Sequence, residues 1–228
     1  LVQAAAGMIT APDGYLKRLR ELCTQYEVLL IADEVATGFG RTGKMFACLH
    51  EGVTPDLMTV SKGLTGGYMP LAATLTTEEI FSAFLGRYEE WKTFFHGHSY
   101  TGNPLGCAVA LANLEVFRRD KTLRRLRPKI HLLRRLLGPV RALPHVGDVR
   151  QCGFMVGIEL VDDRHRKTPY APEQRIGHRV AQDARAKGLL LRPLGNVMVL
   201  MPPLSVTRQE LTKMVSILMS SIERVTGR

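Results

Sequence analysis

The sequence predicts an α/β chain with a largely parallel sheet, followed by a smaller α+β domain. Three runs, VLLIADEV, PDLMTVSK and PLAATLTT, are almost continuously apolar or β-branched, as strands covered on both faces are. Segments of helical period stand beside them, and helices alternating with such strands build parallel sheets. Beyond Asn103-Pro104 that alternation stops. The expected division is residues 1–115 as part of a large α/β domain and residues 116–228 as a small α+β domain.

In chain order, LVQAAAGMIT reads as the end of a strand. APDGYLKRLRELCTQYEV is a helix, with Pro12 and Asp13 near its start and Leu16, Leu19, Leu22 and Cys23 at helical spacing. VLLIADEV and PDLMTVSK are strands separated by a glycine-rich loop. PLAATLTT is a third strand, and TEEIFSAFLG opens a helix for which Thr76 and Glu79 predict a capping box. LGCAVALANLEVFRRD is a long helix, and helix continues to about Leu143. DVRQCGFMVGIELV is a strand or strand pair, and RIGHRVAQDARAKG is a helix ended by Gly188. LLLRPLGNVMVLMPPL reads as a hairpin turning at Gly195-Asn196, and TRQELTKMVSILMSSIERV as a last helix capped by Thr207 with Glu210.

Composition narrows the function classes. Apolar residues make up 45% and charged residues 23%, ordinary for a globular chain, and 228 residues can bury a core without cross-links. Cys23, Cys48, Cys107 and Cys152 lie far apart with no CxxC pair. That speaks against a zinc site or a disulfide framework and fits a reducing cytoplasm. No apolar run reaches the ~18 residues of a membrane span, and no signal-peptide pattern opens the chain. The formal charge is +10, much of it between Arg118 and Arg141. Leucines and basic residues alternate there at helical spacing, which reads as an amphipathic helix with a solvated basic face. That stretch lacks interleaved aromatics and matches no nucleic-acid-reading motif, so neither nucleic acid nor membrane is expected as a partner.

Two strands end in ionisable groups: LLIADE carries Asp33 and LMTVSK carries Lys62. Ligands of parallel sheets bind beyond the carboxyl ends of the strands, so neighbouring strands would bring both groups to one crevice. A buried lysine loses its preference for the charged form and becomes a nucleophilic amine, able to form a Schiff base with an aldehyde. A carboxylate across the site can hold a protonated pyridine nitrogen, and pyridoxal phosphate chemistry needs that pair. Composition and spacing alone reach only an α/β enzyme with Asp and Lys in a crevice. A helix cap or ion pair for Asp33 and an ordinary strand end for Lys62 are the plain alternatives.

Three blocks carry a resemblance. LLIADEVATGFGRTGKMFA, PDLMTVSKGLTGGYMPLAAT and FFHGHSYTGNPLGCAVALANLEVF resemble, in this order and spacing, the class III aminotransferases of fold type I, and the likeness covers the whole chain. The resemblance implies pyridoxal 5'-phosphate as cofactor and no metal. It implies that Lys62 holds the cofactor at rest and afterwards moves the proton, with Gly63, Gly66 and Gly67 leaving room around it. Asp33 matches the partner of the pyridine nitrogen. Val35 would lie against the ring, or be plain core. Ser99 matches a hydroxyl position at the cofactor phosphate, reached from the partner subunit of a homodimer, with His98 beside it offering its backbone. Gly97 matches a position whose backbone approaches the substrate. Arg192 matches the arginine that binds the far carboxylate of the substrate, for which a guanidinium fork is suited. Arg41 matches another arginine of the substrate site, or braces its loop.

Within the family, TGGYMPLAATL, HGHSYTGNPLGCA and LRPLGNVMVLMPPL look most like the members of biotin synthesis. This implies amination of 8-amino-7-oxononanoate to 7,8-diaminononanoate, with S-adenosylmethionine or lysine as donor. An ornithine or 4-aminobutyrate transaminase is the nearest alternative, and a truncated chain with a binding role is the other. Family members carry a long stretch ahead of these blocks, with the turn that holds most of the cofactor phosphate at a helix N-terminus. The chain is therefore expected to be the C-terminal part of a longer enzyme, and poorly active or inactive alone.

Overall fold

The structure, a computed structural model, describes residues 2–227. Its first half contains β1 (Val2–Gln3), β2 (Ile9–Thr10), α1 (Tyr15–Gln25), β3 (Ile31–Asp33), β4 (Leu57–Val60), β5 (Ala73–Thr76), α2 (Glu78–Ser82) and α3 (Pro104–Arg119). Its second half contains α4 (Thr122–Arg141), β6 (Val146–Cys152), β7 (Met155–Asp163), β8 (Thr168–Pro169), α5 (Ile176–Ala186), β9 (Arg192–Leu194), β10 (Val197–Leu200) and α6 (Arg208–Thr226). These elements form two compact units. Among the described residues, one comprises Pro12–Phe39 with Lys44–Thr122; the other comprises residues 2–11, Gly40–Gly43 and residues 123–227.

In the first unit, β3 and β4 pair in parallel, with Ile31 opposite Leu57 and Asp33 opposite Thr59. β5 adds to β4 in the antiparallel sense. Helix α1 folds Leu16, Leu19 and Cys23 against a small core of Leu30, Cys48 and Val53. Asp56 ties these pieces together: its Oδ2 accepts from Leu30 N–H and from Arg20 Nη1, both at 2.6 Å. β3 is not covered on both faces: it is a three-residue edge strand, and Ile31 is 61% exposed. β5 is exposed throughout. Their apolar content records a need for cover that this unit's described residues do not meet. The cap of α2 is Thr77, whose hydroxyl accepts from Ile80 N–H, and not Thr76. Thr76 ends β5 opposite Leu57, which commits its backbone to the strand ladder.

The second unit has the larger core. β6, β7, β10 and β9 form an antiparallel sheet in that order, with β8 beside β7. Leu133 and Leu137 of α4, Phe154, Ile158 and Leu160 around β7, Met198 and Leu200 of β10, and Leu211, Leu218 and Ile222 of α6 are fully buried together. Each such side chain contributes on the order of 1.5–3 kcal/mol of transfer free energy. The expected hairpin is β9–β10, turning at Gly195-Asn196, and the expected capping box of Thr207 with Glu210 opens α6. Helix α4 buries Leu126, Leu133, Leu137 and Val140 and leaves Arg124, Arg125, Arg127, Arg134 and Arg135 exposed, the solvated basic face read from its periodicity.

Two short pieces of the first half fold with this unit for local reasons. Arg150, paired with Asp148 and Glu159, donates from Nε and Nη2 to Gly7 O. A Cβ at Gly157 would stand 2.7 Å from that same oxygen, so only glycine admits it. At the β6–β7 turn, a Cβ on Gly153 would meet the Thr42 backbone at 2.3 Å, and Phe154 N–H donates to Arg41 O at 2.8 Å.

Candidate active site

The parallel pairing of β3 with β4 brings the carboxyl ends of both strands to one sheet edge. Asp33 is the last residue of β3, and Lys62 follows Val60, the last residue of β4, by two positions. Glu34 N–H extends the ladder by donating to Thr59 O at 2.9 Å. The inferred adjacency of the two ionisable groups is therefore an arrangement of neighbouring strands. Asp33 is exposed; its Oδ1 accepts from Val35 N–H at 2.9 Å, and among the described residues Oδ2 has no partner. Val35 is half-buried.

Lys62 opens a 3-10 turn, Lys62–Thr65, with φ at +43°, a conformation that L-residues adopt rarely. Its surroundings hold it there. Ser61 Oγ donates to Leu71 O at 2.8 Å and Thr65 Oγ1 donates to Met69 O at 2.6 Å. Asn113 of α3 donates from Nδ2 to Gly63 O at 2.8 Å and to Leu64 O at 3.0 Å. A Cβ on Gly63 would lie 2.7 Å from Phe39, so this glycine serves the packing of Phe39 beneath the turn. Lys62 itself is exposed, where burial was expected, because no described residue of its unit covers this sheet edge.

Behind Asp33 stands a group that the motif reading passed over. Glu34 is 2% exposed. Its Oε1 accepts from Cys48 N–H at 2.8 Å and its Oε2 from the Thr37 hydroxyl, while its backbone oxygen accepts from Gly38 N–H at 2.9 Å. One buried carboxylate thus fixes the turn after β3. The Cys48 thiol is pushed up to about 11, first by burial and then by the Glu34 charge. The signal for Glu34 was present in the sequence as a second carboxylate directly after a strand end. The signal for Asn113 was a polar residue on the packed side of an otherwise apolar helix.

Gly97, His98 and Ser99 lie in an exposed loop of the same unit, where His98 N–H donates to Thr101 Oγ1 at 2.9 Å and Tyr100 N–H to His98 Nδ1 at 3.1 Å. Arg41 and Arg192 belong to the other unit. Arg41 donates from Nη1 to Pro202 O at 2.7 Å, and burial lowers its pKa from the ordinary value. Arg192 is exposed at the start of β9, opposite Val199. No group of His, Cys, Asp and Glu among the described residues is arranged to hold a metal ion.

An α/β unit that presents an amine and a carboxylate at the carboxyl edge of neighbouring parallel strands is suited to carbonyl chemistry on a bound aldehyde. The chain belongs to the class III aminotransferase family, whose model matches residues 1–222. It is 58% identical to the adenosylmethionine-8-amino-7-oxononanoate aminotransferase of Nitratidesulfovibrio vulgaris over 99% of its own length and 42% of that protein. It is 58% identical to the Geobacter sulfurreducens protein of the same name over its full length and 50% of that protein. The solved structure of the Methanocaldococcus jannaschii enzyme of that name superposes with a TM-score of 0.96 at 49% identity, covering 98% of this chain and 52% of that one. An aminotransferase from Vibrio fluvialis in its PMP-bound form superposes at 0.93 with 31% identity, over all of this chain and 50% of that one. The chain thus spans about half the length of the relatives it matches.

The family is dependent on pyridoxal 5'-phosphate. The residues present fit that group: an exposed primary amine and an exposed carboxylate with an unpartnered oxygen share one sheet edge.

Proposed function

We propose that this chain is the C-terminal half of an aminotransferase of biotin synthesis, which aminates 8-amino-7-oxononanoate to 7,8-diaminononanoate with S-adenosylmethionine or lysine as donor. What supports the reading most is the Asp33–Lys62 arrangement at the ends of β3 and β4, in a chain 58% identical to relatives named for that acceptor and donor. Bound pyridoxal 5'-phosphate supplies an aldehyde that takes up amines and a ring that accepts electrons as a substrate proton leaves. Lys62 Nζ would hold the cofactor through its aldehyde, and when free would act as the base that takes up and returns a proton. Asp33 Oδ2, whose direction the Val35 N–H on Oδ1 sets, would serve the protonated ring nitrogen.

Under the same reading, Ser99 and the His98 backbone serve the cofactor phosphate across a homodimer interface. Gly97 lets the substrate pass close to the backbone, and Arg192 and Arg41 bind substrate carboxylate. The working enzyme is cytoplasmic, with residues 1–115 in its large domain and 116–228 in its small one. The test is a steady-state assay of the full-length protein that carries this chain. Diaminononanoate should form from 8-amino-7-oxononanoate with one of the two donors, and the 228-residue chain alone should turn over at least 100-fold more slowly. Preferential turnover of ornithine or 4-aminobutyrate would contradict the substrate assignment.

A further inference from the structure

The packed side of α3 is built from small or apolar residues with one exception. Gly106, Val109, Ala110, Asn113 and Phe117 are the positions between Pro104 and Arg119 that are not exposed, and they recur at helical spacing. Gly106 sits against Leu71, at 3.5 Å for an added Cβ, and Phe117 meets Phe39 edge to face at 6.4 Å. Asn113 occupies the middle of this stripe, where apolar packing alone would call for Ala or Leu.

Its placement has a clear chemical use. One amide nitrogen donates to two successive carbonyls, Gly63 O and Leu64 O, the two residues after Lys62. Its Oδ1 faces Gly66, where a Cβ would come to 3.1 Å and where φ is +63°. The lysine turn therefore has a polar clamp from α3 on one side and Phe39 under Gly63 on the other. A residue at φ +43° persists only when its surroundings over-determine it, and such positions concentrate at functional sites.

We propose that Asn113 is a positioning residue for Lys62: it fixes the turn that aims the amine, without touching the reacting atoms itself. The inference rests on Lys62 being the lysine that holds the cofactor. Proton transfer demands placement to within a fraction of an ångström, and misplacement of about 1 Å costs on the order of 100-fold in rate. The loss should therefore fall on kcat and on the lysine, and not on substrate affinity.

Asn113→Asp keeps the shape but removes both donors, and Asn113→Ala removes the side chain. Both are compared with wild type in the full-length protein. The measurements are the melting temperature, the share of Lys62 carrying cofactor after borohydride reduction (read by mass spectrometry of the Lys62 peptide), and kcat and KM separately. The expected result is a 10- to 100-fold fall in kcat with KM within about 2-fold, and a trapped Lys62 fraction that forms at least 5-fold more slowly in both variants. Gly66→Ala, which crowds Asn113 Oδ1, should give the same pattern in weaker form. If the variants trap cofactor and turn over like wild type, or if activity falls only in step with the folded fraction, the inference is overturned. If wild type traps no cofactor on Lys62, the assignment of Lys62 fails first and takes this inference with it.

Discussion

Glu34 shows how much of a site can depend on a side chain that carries no chemistry of its own. Three hydrogen bonds converge on its carboxylate and backbone oxygen, and all lie within five residues of Asp33 or on the Cys48 turn. Glu34→Leu removes both acceptor oxygens, so Cys48 N–H and the Thr37 hydroxyl both lose their carboxylate partner. A buried polar group left unpaired costs about 1–3 kcal/mol. Chemical denaturation should show a loss of that size, and an unchanged midpoint would contradict the role. The thiol offers a second reading. The folded Cys48 pKa is raised from its ordinary value of 9.0 to about 11, so the stabilisation linked to it is complete below pH 9 and is lost as pH rises toward 11. In Glu34→Leu the thiol should ionise at lower pH, which thiol-alkylation rates against pH will register. The sequence made Asp33 and Lys62 legible because each ends an apolar run. Glu34 and Asn113 left only a weak trace, a polar residue in an apolar setting, because their partners (the Cys48 N–H and Thr37 hydroxyl, and the Gly63 and Leu64 carbonyls) are brought near only by folding.

At the scale of elements, periodicity served well wherever an element and its cover lie in the same unit. Helices α4, α5 and α6 and the β9–β10 hairpin stand where their apolar spacing and their Gly-Asn turn put them. Strands β3 and β5 were read as covered on both faces and are exposed, because composition reports the need for burial and not what provides it. The capping residue was missed by one position, since adjacent threonines offer equal chemistry and only the strand register chooses between them. Asp56 is the element-scale joint most open to test. Its carboxylate is held below its ordinary pKa, first by the Leu30 N–H and then by Arg20. A depressed carboxylate contributes stability above its unfolded pKa of about 4 and loses it as pH falls through the folded value. The unit built on α1, β3 and β4 should therefore loosen below about pH 4. Asp56→Asn should flatten that acid limb of a melting-temperature profile while lowering the plateau near pH 7. A variant profile parallel to that of wild type would contradict the assignment.

Across the whole molecule, exposed large apolar side chains are concentrated in one of the two units. Tyr68, Tyr88, Trp91, Phe94, Phe95 and Tyr100 are each more than 60% exposed, and all belong to the unit that carries Asp33 and Lys62. The other unit closes its core on itself. A chain that spans about half the length of its relatives leaves this aromatic surface open in the unit of its ionisable pair, as a face that packs against further protein would. The central claim is that Lys62 is the amine that holds pyridoxal 5'-phosphate. Its most direct test is the absorbance spectrum of the full-length protein after addition of the cofactor, recorded beside Lys62→Ala. The account predicts a visible band in the wild type that an amino donor bleaches and that the variant lacks. A band of equal strength in the variant, or none in the wild type, would contradict it.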